Sequence, residues 1–254
     1  MAEPANHIQV PFGDCSLCPF RNKTLLMGRC MPGHTCVRVE SGKQIDRFFR
    51  VNPVYAEHYL RDPYWERRAV AARYAPQKAL HALIEDSDEV VRRVVAFRLP
   101  SHQLQAWISD SDRDVRMTVA ERIDLEHLEQ LADDRDYLVR LTVVKRLPPG
   151  RLFRFIKDRD TQVRKRVAER LPEVSLGLMM ADPSPEVRRI VAERLPADEA
   201  VALLNDSDWV VRYTAATKVS PENLPPLRND PEPDVRELVL HRLHLTSDTD
   251  SKHD

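Results

Sequence analysis

An arginine returns every 24 residues through most of this chain, as Arg68, Arg92, Arg116, Arg140, Arg164, Arg188, Arg212 and Arg236. An aspartate keeps the same interval six residues earlier, as Asp62, Asp86, Asp110, Asp134, Asp158, Asp182, Asp206 and Asp230. Neither series is interrupted by an insertion or a deletion. A period this strict constrains the fold more than any other feature of the sequence. Each unit is one supersecondary element, too small to bury its apolar faces alone, so neighbouring units must stack into one continuous core.

Counting each repeat from its Asp as offset zero, Val fills offset five at Val91, Val115, Val139, Val163, Val187, Val211 and Val235, while Arg67 breaks the pattern in the first copy. Offset nine is Val95, Val119, Val143, Val167, Val191, Ala215 and Val239, and offset thirteen is Leu99, Ile123, Leu147, Leu171, Leu195, Val219 and Leu243. Steps of four residues advance only about 40° around a helix, so the three positions share one face. An amphipathic helix of about three turns follows. Asp88, Asp112, Asp136, Asp160 and Asp208 suit its N-cap, with Ser184 a fair substitute and Tyr64 and Glu232 poor ones. Pro76, Pro100, Pro148, Pro172 and Pro196 stop it. Apolar pairs three apart occupy the remainder of the unit, among them Leu104 with Trp107, Leu128 with Leu131 and Leu176 with Met179. Over so few residues this spacing favours a 3₁₀ turn. With 6 Gly against 19 Pro, hairpin turns have little support.

The expected fold is therefore all-α, a solenoid of eight units alternating an α-helix with a 3₁₀-helix. Segments such as DSDEVVRRVVAFRLP and DRDTQVRKRVAERLP resemble the leucine-rich repeat variant family, and the resemblance covers all eight units. It implies a superhelix of 24-residue α/3₁₀ repeats. Ordinary leucine-rich repeats are excluded because no LxxLxLxxN strand pattern occurs, and HEAT repeats need about 40 residues for two full helices.

The offset-six arginine lies about 100° around the wheel, inside the apolar stripe. A guanidinium held there requires carboxylates or free carbonyls, and the equally regular Asp of its own or an adjacent unit is the expected partner. A second basic column at offset twelve, Arg98, Arg122, Arg146, Arg170, Arg194, Lys218 and Arg242, lies at the edge of the stripe. It reads as a solvated face with local pairing. As the alternative, it forms a positive rail for nucleic acid beside a structural metal cap. The net charge of -1 gives no general basicity to favour that alternative. Offsets seven, eight and eleven point away from the core and vary freely, as a binding surface on a fixed frame would.

All four cysteines lie near the N-terminus in a C-x2-C-x11-C-x5-C arrangement: Cys15, Cys18, Cys30 and Cys36. Four thiolates complete the shell of a tetrahedral zinc or of an iron–sulfur cluster, and ligand type alone does not choose. The loose second pair and the Pro after Cys18 lean towards a cluster. Arg21, Lys23 and Arg29 offer positive charge nearby, and Gly28 and Gly33 would let backbone amides approach sulfur. The family resemblance implies that Cys15, Cys18, Cys30 and Cys36 ligate a [4Fe-4S] cluster, with zinc as the alternative. His34 and His7 read as surface or outer-shell groups.

Residues 1–61 thus form a four-cysteine module and an N-terminal cap, in which Phe48, Phe49, Val54, Tyr55, Tyr59 and Leu60 would cover the first repeat. Residues 62–245 form the repeats, and residues 246–254 a polar C-terminal tail. No apolar run approaches the roughly 20 residues of a membrane span, and the opening MAEPANHIQVPFGDC lacks the pattern of an export signal, so a cytoplasmic protein is expected. No nucleophile with its base, phosphate loop or carboxylate pair appears, and no catalytic residue is expected. The expected function is a cluster-binding repeat protein that docks a protein partner, with the cluster in a redox or structural role.

Overall fold

The computed structural model describes the backbone of residues 10–250 and the side chains of residues 10–244. His7 and tail residues 251–254 lie outside them. The chain divides into two compact units, Met1–Gln130 and Leu131–Asp254.

In the first unit, α1 (Gly42–Val51), α2 (Trp65–Tyr74), α3 (Glu89–Arg98) and α4 (Arg113–Arg122) alternate with 3₁₀ segments Pro53–Tyr59, Gln77–Leu83 and Ser101–Trp107. A short turn of α-helix, α5 (Leu125–Leu128), follows. The second unit holds α6 (Tyr137–Arg146), α7 (Thr161–Arg170), α8 (Pro185–Arg194), α9 (Trp209–Ala216) and α10 (Pro233–Asp250). Between them run 3₁₀ segments, continuous at Glu173–Met179 and Glu199–Asn205 and broken in two around Leu152 and Leu224. Within each unit successive α-helices pack side by side. The expected all-α repeat of α-helix and 3₁₀ turn is the observed one, and α10 carries its helical backbone on through Asp250.

The stripe predicted from the spacing is the core: Val91, Val95, Leu99, Val115, Val119 and Ile123 are all fully buried, as are Val187, Val191 and Leu195. The caps follow the chemistry of their side chains. Asp88, Asp112 and Asp208 each accept two backbone N–H groups of the first turn, and Asp136 and Asp160 accept one. Ser184 makes no side-chain cap bond. Pro185 stands at the first helical position there, where its missing N–H costs nothing.

The arginine–aspartate ladder links neighbouring repeats within each unit, and Asp86, Asp110, Asp158, Asp182, Asp206 and Asp230 each serve it twice, by carboxylate and by carbonyl. In the first unit, Arg92 donates through Nε and Nη2 to both carboxylate oxygens of Asp110, in the next repeat, at 2.8 and 2.9 Å. Its Nη1 meanwhile donates to the backbone carbonyl of Asp86, in its own repeat, at 2.8 Å. Arg68 does the same with Asp86 and Asp62. In the second unit the rungs are Arg140–Asp158, Arg164–Asp182, Arg188–Asp206 and Arg212–Asp230. Each of these aspartates also accepts the amide two residues on, so its two oxygens are held by chain and guanidinium together.

The second basic column departs from the solvated face expected of it. Arg98 donates to the carbonyls of Ala72 and Ala75, Arg122 to those of Ala96 and Leu99, and Arg242 to those of Ala216 and Val219. Arg170, Arg194 and Lys218 likewise reach carbonyls of Val144, Ala168 and Leu195. Each of these six cations therefore sits on the C-terminal carbonyls of the helix before it, where orphan acceptors and the helix dipole both favour positive charge.

Candidate metal centre

The cap is itself a shortened repeat. Setting α1 over α2, which begins 23 residues later, places Pro53 over Pro76 and Phe48 and Phe49 over the buried Ala71 and Ala72. Ile45 then occupies the ladder-arginine position, so Asp62 receives no rung from the preceding unit. Arg67, the residue that broke the Val series, supplies it instead with an ion pair at 2.9 Å to Asp62.

Two buried polar side chains of this shortened repeat reach into the cysteine module. The Gln44 side-chain amide donates to the Pro11 carbonyl at 2.7 Å, while the backbone carbonyl of Gln44 accepts the Cys36 amide at 3.2 Å. Asn52 donates to the carbonyls of Arg29 at 2.8 Å and Phe48 at 3.0 Å. A third tether is apolar: the ring of Phe20, two residues beyond Cys18, packs edge-on against Phe48 and Tyr55, 5.0 and 4.9 Å between centroids. Val54, expected in the cap, is instead 78% exposed.

These tethers bring Cys15, Cys18, Cys30 and Cys36 together. Cys30 and Cys36 are buried, and Cys15 and Cys18 are half-buried. Burial pushes the Cys30 thiol up to about 11, and the charges of Cys36, Cys18 and Cys15 add to the rise. Burial, Cys18, Cys36 and Asp14 raise Cys15 against a smaller opposing effect of Arg21. The Cys15 and Cys30 thiols therefore need added positive charge before they ionise, and a bound iron–sulfur core or zinc ion would supply it. Among the described residues no three His, Cys, Asp or Glu side chains close tightly enough to grip one ion, so the four thiols interact over a longer range.

Gly13 makes room for the set. A methyl group on it would lie 2.6 Å from Cys36 Sγ, so a larger residue would displace that sulfur. The amide that donates to sulfur belongs to Arg38, 3.4 Å from Cys36 Sγ, and not to Gly28 or Gly33. Those two glycines have positive φ, +67° and +78°, and serve the turns between the cysteine pairs. Arg21, Lys23 and Arg29 are exposed. His34 is also exposed, its Nδ1 2.8 Å from the Thr35 hydroxyl, which agrees with a surface role. The sequence reading found the cysteines and missed Gly13, Gln44 and Asn52. A 23-residue alignment through Pro53 would have exposed the last two.

Four cysteines gathered ahead of α/3₁₀ repeats define a repeat protein with a candidate metal centre. Residues 13–58 match the family described as "LRV protein FeS4 cluster". A solved structure described as a leucine-rich repeat variant with a novel repetitive protein structural motif is 62% identical, over 92% of this chain and 100% of its own, with a TM-score of 0.88. The chain belongs to the leucine-rich repeat variant family. A curated relative, the uncharacterized 27.7 kDa protein in the nifB 3'region of Rhodobacter capsulatus, is 38% identical over 86 residues. That alignment takes in 34% of this chain and 35% of the relative, so the chain spans about a third of its length. A crystal structure of an engineered protein aligns at 15% identity over 80% of this chain and 70% of its own, with a TM-score of 0.30. Among the described residues no helix is long and apolar enough to cross a membrane.

Proposed function

We propose that Cys15, Cys18, Cys30 and Cys36 hold a [4Fe-4S] cluster, one thiolate to each iron, and that the repeats dock a protein partner in the cytoplasm. The observation that carries this reading is that all four cysteines of the described chain lie in the residues that match the family's iron–sulfur module, with Cys30 and Cys36 buried there and Cys36 Sγ against Gly13. When bound, such a cluster stores or passes an electron. With a cysteine on every iron, no position stays open for a substrate, and the protein acts without a catalytic site of its own. The inward turn of the offset-twelve cations supports a protein partner over nucleic acid.

Anaerobic purification with iron and sulfide analysis, optical absorption and EPR before and after dithionite tests the assignment. About four iron and four sulfide per chain, with visible absorbance that falls on reduction, is the expected result. A colourless protein holding one zinc overturns it.

A further inference from the structure

Two pairs of neighbouring helices share a contact on their outward faces, in which offset seven of one repeat meets offset four of the next. Lys165 pairs there with Glu186 at 2.6 Å, and Arg93 with Asp114 at 3.4 Å. In the last two repeats the same register places Tyr213 opposite Asp234. The acid is kept and its cation is replaced by an aromatic ring.

The surroundings of Asp234 deepen the difference. A groove of about 580 Å³ runs between α9 and α10, walled on one side by Trp209 and Tyr213 and on the other by Asp234, Glu237, Leu238 and His241. Trp209, Asp234, Glu237 and His241 are exposed. No lysine or arginine lines the groove, whereas the comparable groove over α3 carries Arg73, Arg93 and Arg98. Among the described residues neither Asp234 nor Glu237 has an ion-pair partner. One wall of π faces and one of unpaired carboxylates answers a cation twice, by the ring quadrupole and by charge.

We propose that this groove docks a lysine- or arginine-bearing segment of a protein partner, whose cation takes the place that Lys165 and Arg93 fill in the earlier repeats. The inference gives chemistry to the docking role proposed for the repeats and does not depend on the cluster.

Binding of a fluorescein-labelled oligolysine peptide to the full chain, read by anisotropy at low salt, tests it. Quenching of tryptophan emission locates the peptide, and that quenching should vanish in Trp209→Phe. Asp234→Asn with Glu237→Gln should weaken the peptide about tenfold, because two charge contacts beside an aromatic face are lost. Asp114→Asn, whose carboxylate already has Arg93, should leave affinity unchanged, as should replacement of Phe97 on the outer face of α3. Oligoglutamate should not bind. Native affinity in the double variant overturns the inference while leaving a docking surface elsewhere on the repeats. Spermidine binding as tightly as the peptide overturns the assignment to a protein segment. Absence of oligolysine binding also overturns it, and the iron and sulfide contents that test the cluster would not change.

Discussion

The rung between Arg140 and Asp158 is the sharpest place to test the ladder, because its side chains are only 4% and 6% exposed. Asp158→Asn keeps the shape and removes the charge. Loss of one partner from a buried pair costs about 3–5 kcal/mol, since the surviving ion stays out of water without its counter-charge. Arg140 would keep the Asp134 carbonyl at 2.8 Å, and an Asn oxygen can still accept the Asp160 amide. Those two bonds place the cost at the lower end, about 3 kcal/mol. For a chain of this length that corresponds to a fall in Tm of roughly 6–12 °C. Urea unfolding followed by circular dichroism should measure it, alongside Arg140→Met, Asp158→Leu and their combination. Removing both ions leaves no charge uncompensated and costs only the bonds to the Asp134 carbonyl and the Asp160 amide, so the double variant should recover most of the loss. The exposed pair Arg154–Asp133, with Asp133 89% exposed, should show no measurable effect when Asp133 becomes Asn. If Asp158→Asn were as stable as the native chain, or the double variant worse than the sum of its parts, the ladder would not be an electrostatic lock.

Acid should undo the ladder as a whole. Burial raises the carboxyls of Asp86, Asp110, Asp158 and Asp206, but the arginine hydrogen bonds, the amide two residues on and the neighbouring charges outweigh it and hold each below the usual carboxylate range. In Asp230 the hydrogen bond from Arg212 is the largest effect, with the same outcome. A carboxyl whose folded pKa is depressed contributes stability that is complete above its unfolded value, near 3.9, and is lost as pH falls through the folded one. Urea midpoints should therefore be flat down to about pH 5 and drop below about pH 4, and a midpoint unchanged at about pH 2 would contradict this. Gly13→Ala should lower the iron content of the anaerobically purified protein without changing its far-UV circular dichroism, because the new methyl group displaces Cys36 Sγ. Full iron occupancy in that variant would remove Gly13 from the site.

The repeats were legible because periodicity reports burial directly: Val91, Val95 and Leu99 recur as a pattern, and the pattern is the core. The partner of each arginine was only half legible. Spacing pointed to an Asp of the same or the adjacent unit, whereas one guanidinium takes the carbonyl of its own and the carboxylate of the next. Arg98 and Arg122 were misplaced because a helical wheel shows the edge of one helix and not the free carbonyls of the helix beside it. The cysteine set was visible as spacing. Gln44 and Asn52, which hold it to the repeats, were not, because they replace apolar residues in a unit whose period is one residue short. Tyr213 against Asp234 lay hidden for a related reason: a missing ion pair becomes visible only once the register of the filled ones is known.

The rungs also work as a ruler. Each spans 18 residues of chain from Arg to carboxylate and six back to a carbonyl, so adding or deleting one residue would put the contact whose span it falls in out of register. Copying a whole unit, by contrast, adds a complete rung. Such a protein lengthens by duplication and resists lengthening by insertion, which explains eight units of identical size in a row. The unit that departs from that size, in the cap, is the one where Ile45 stands in place of the arginine and no rung is left to keep the measure.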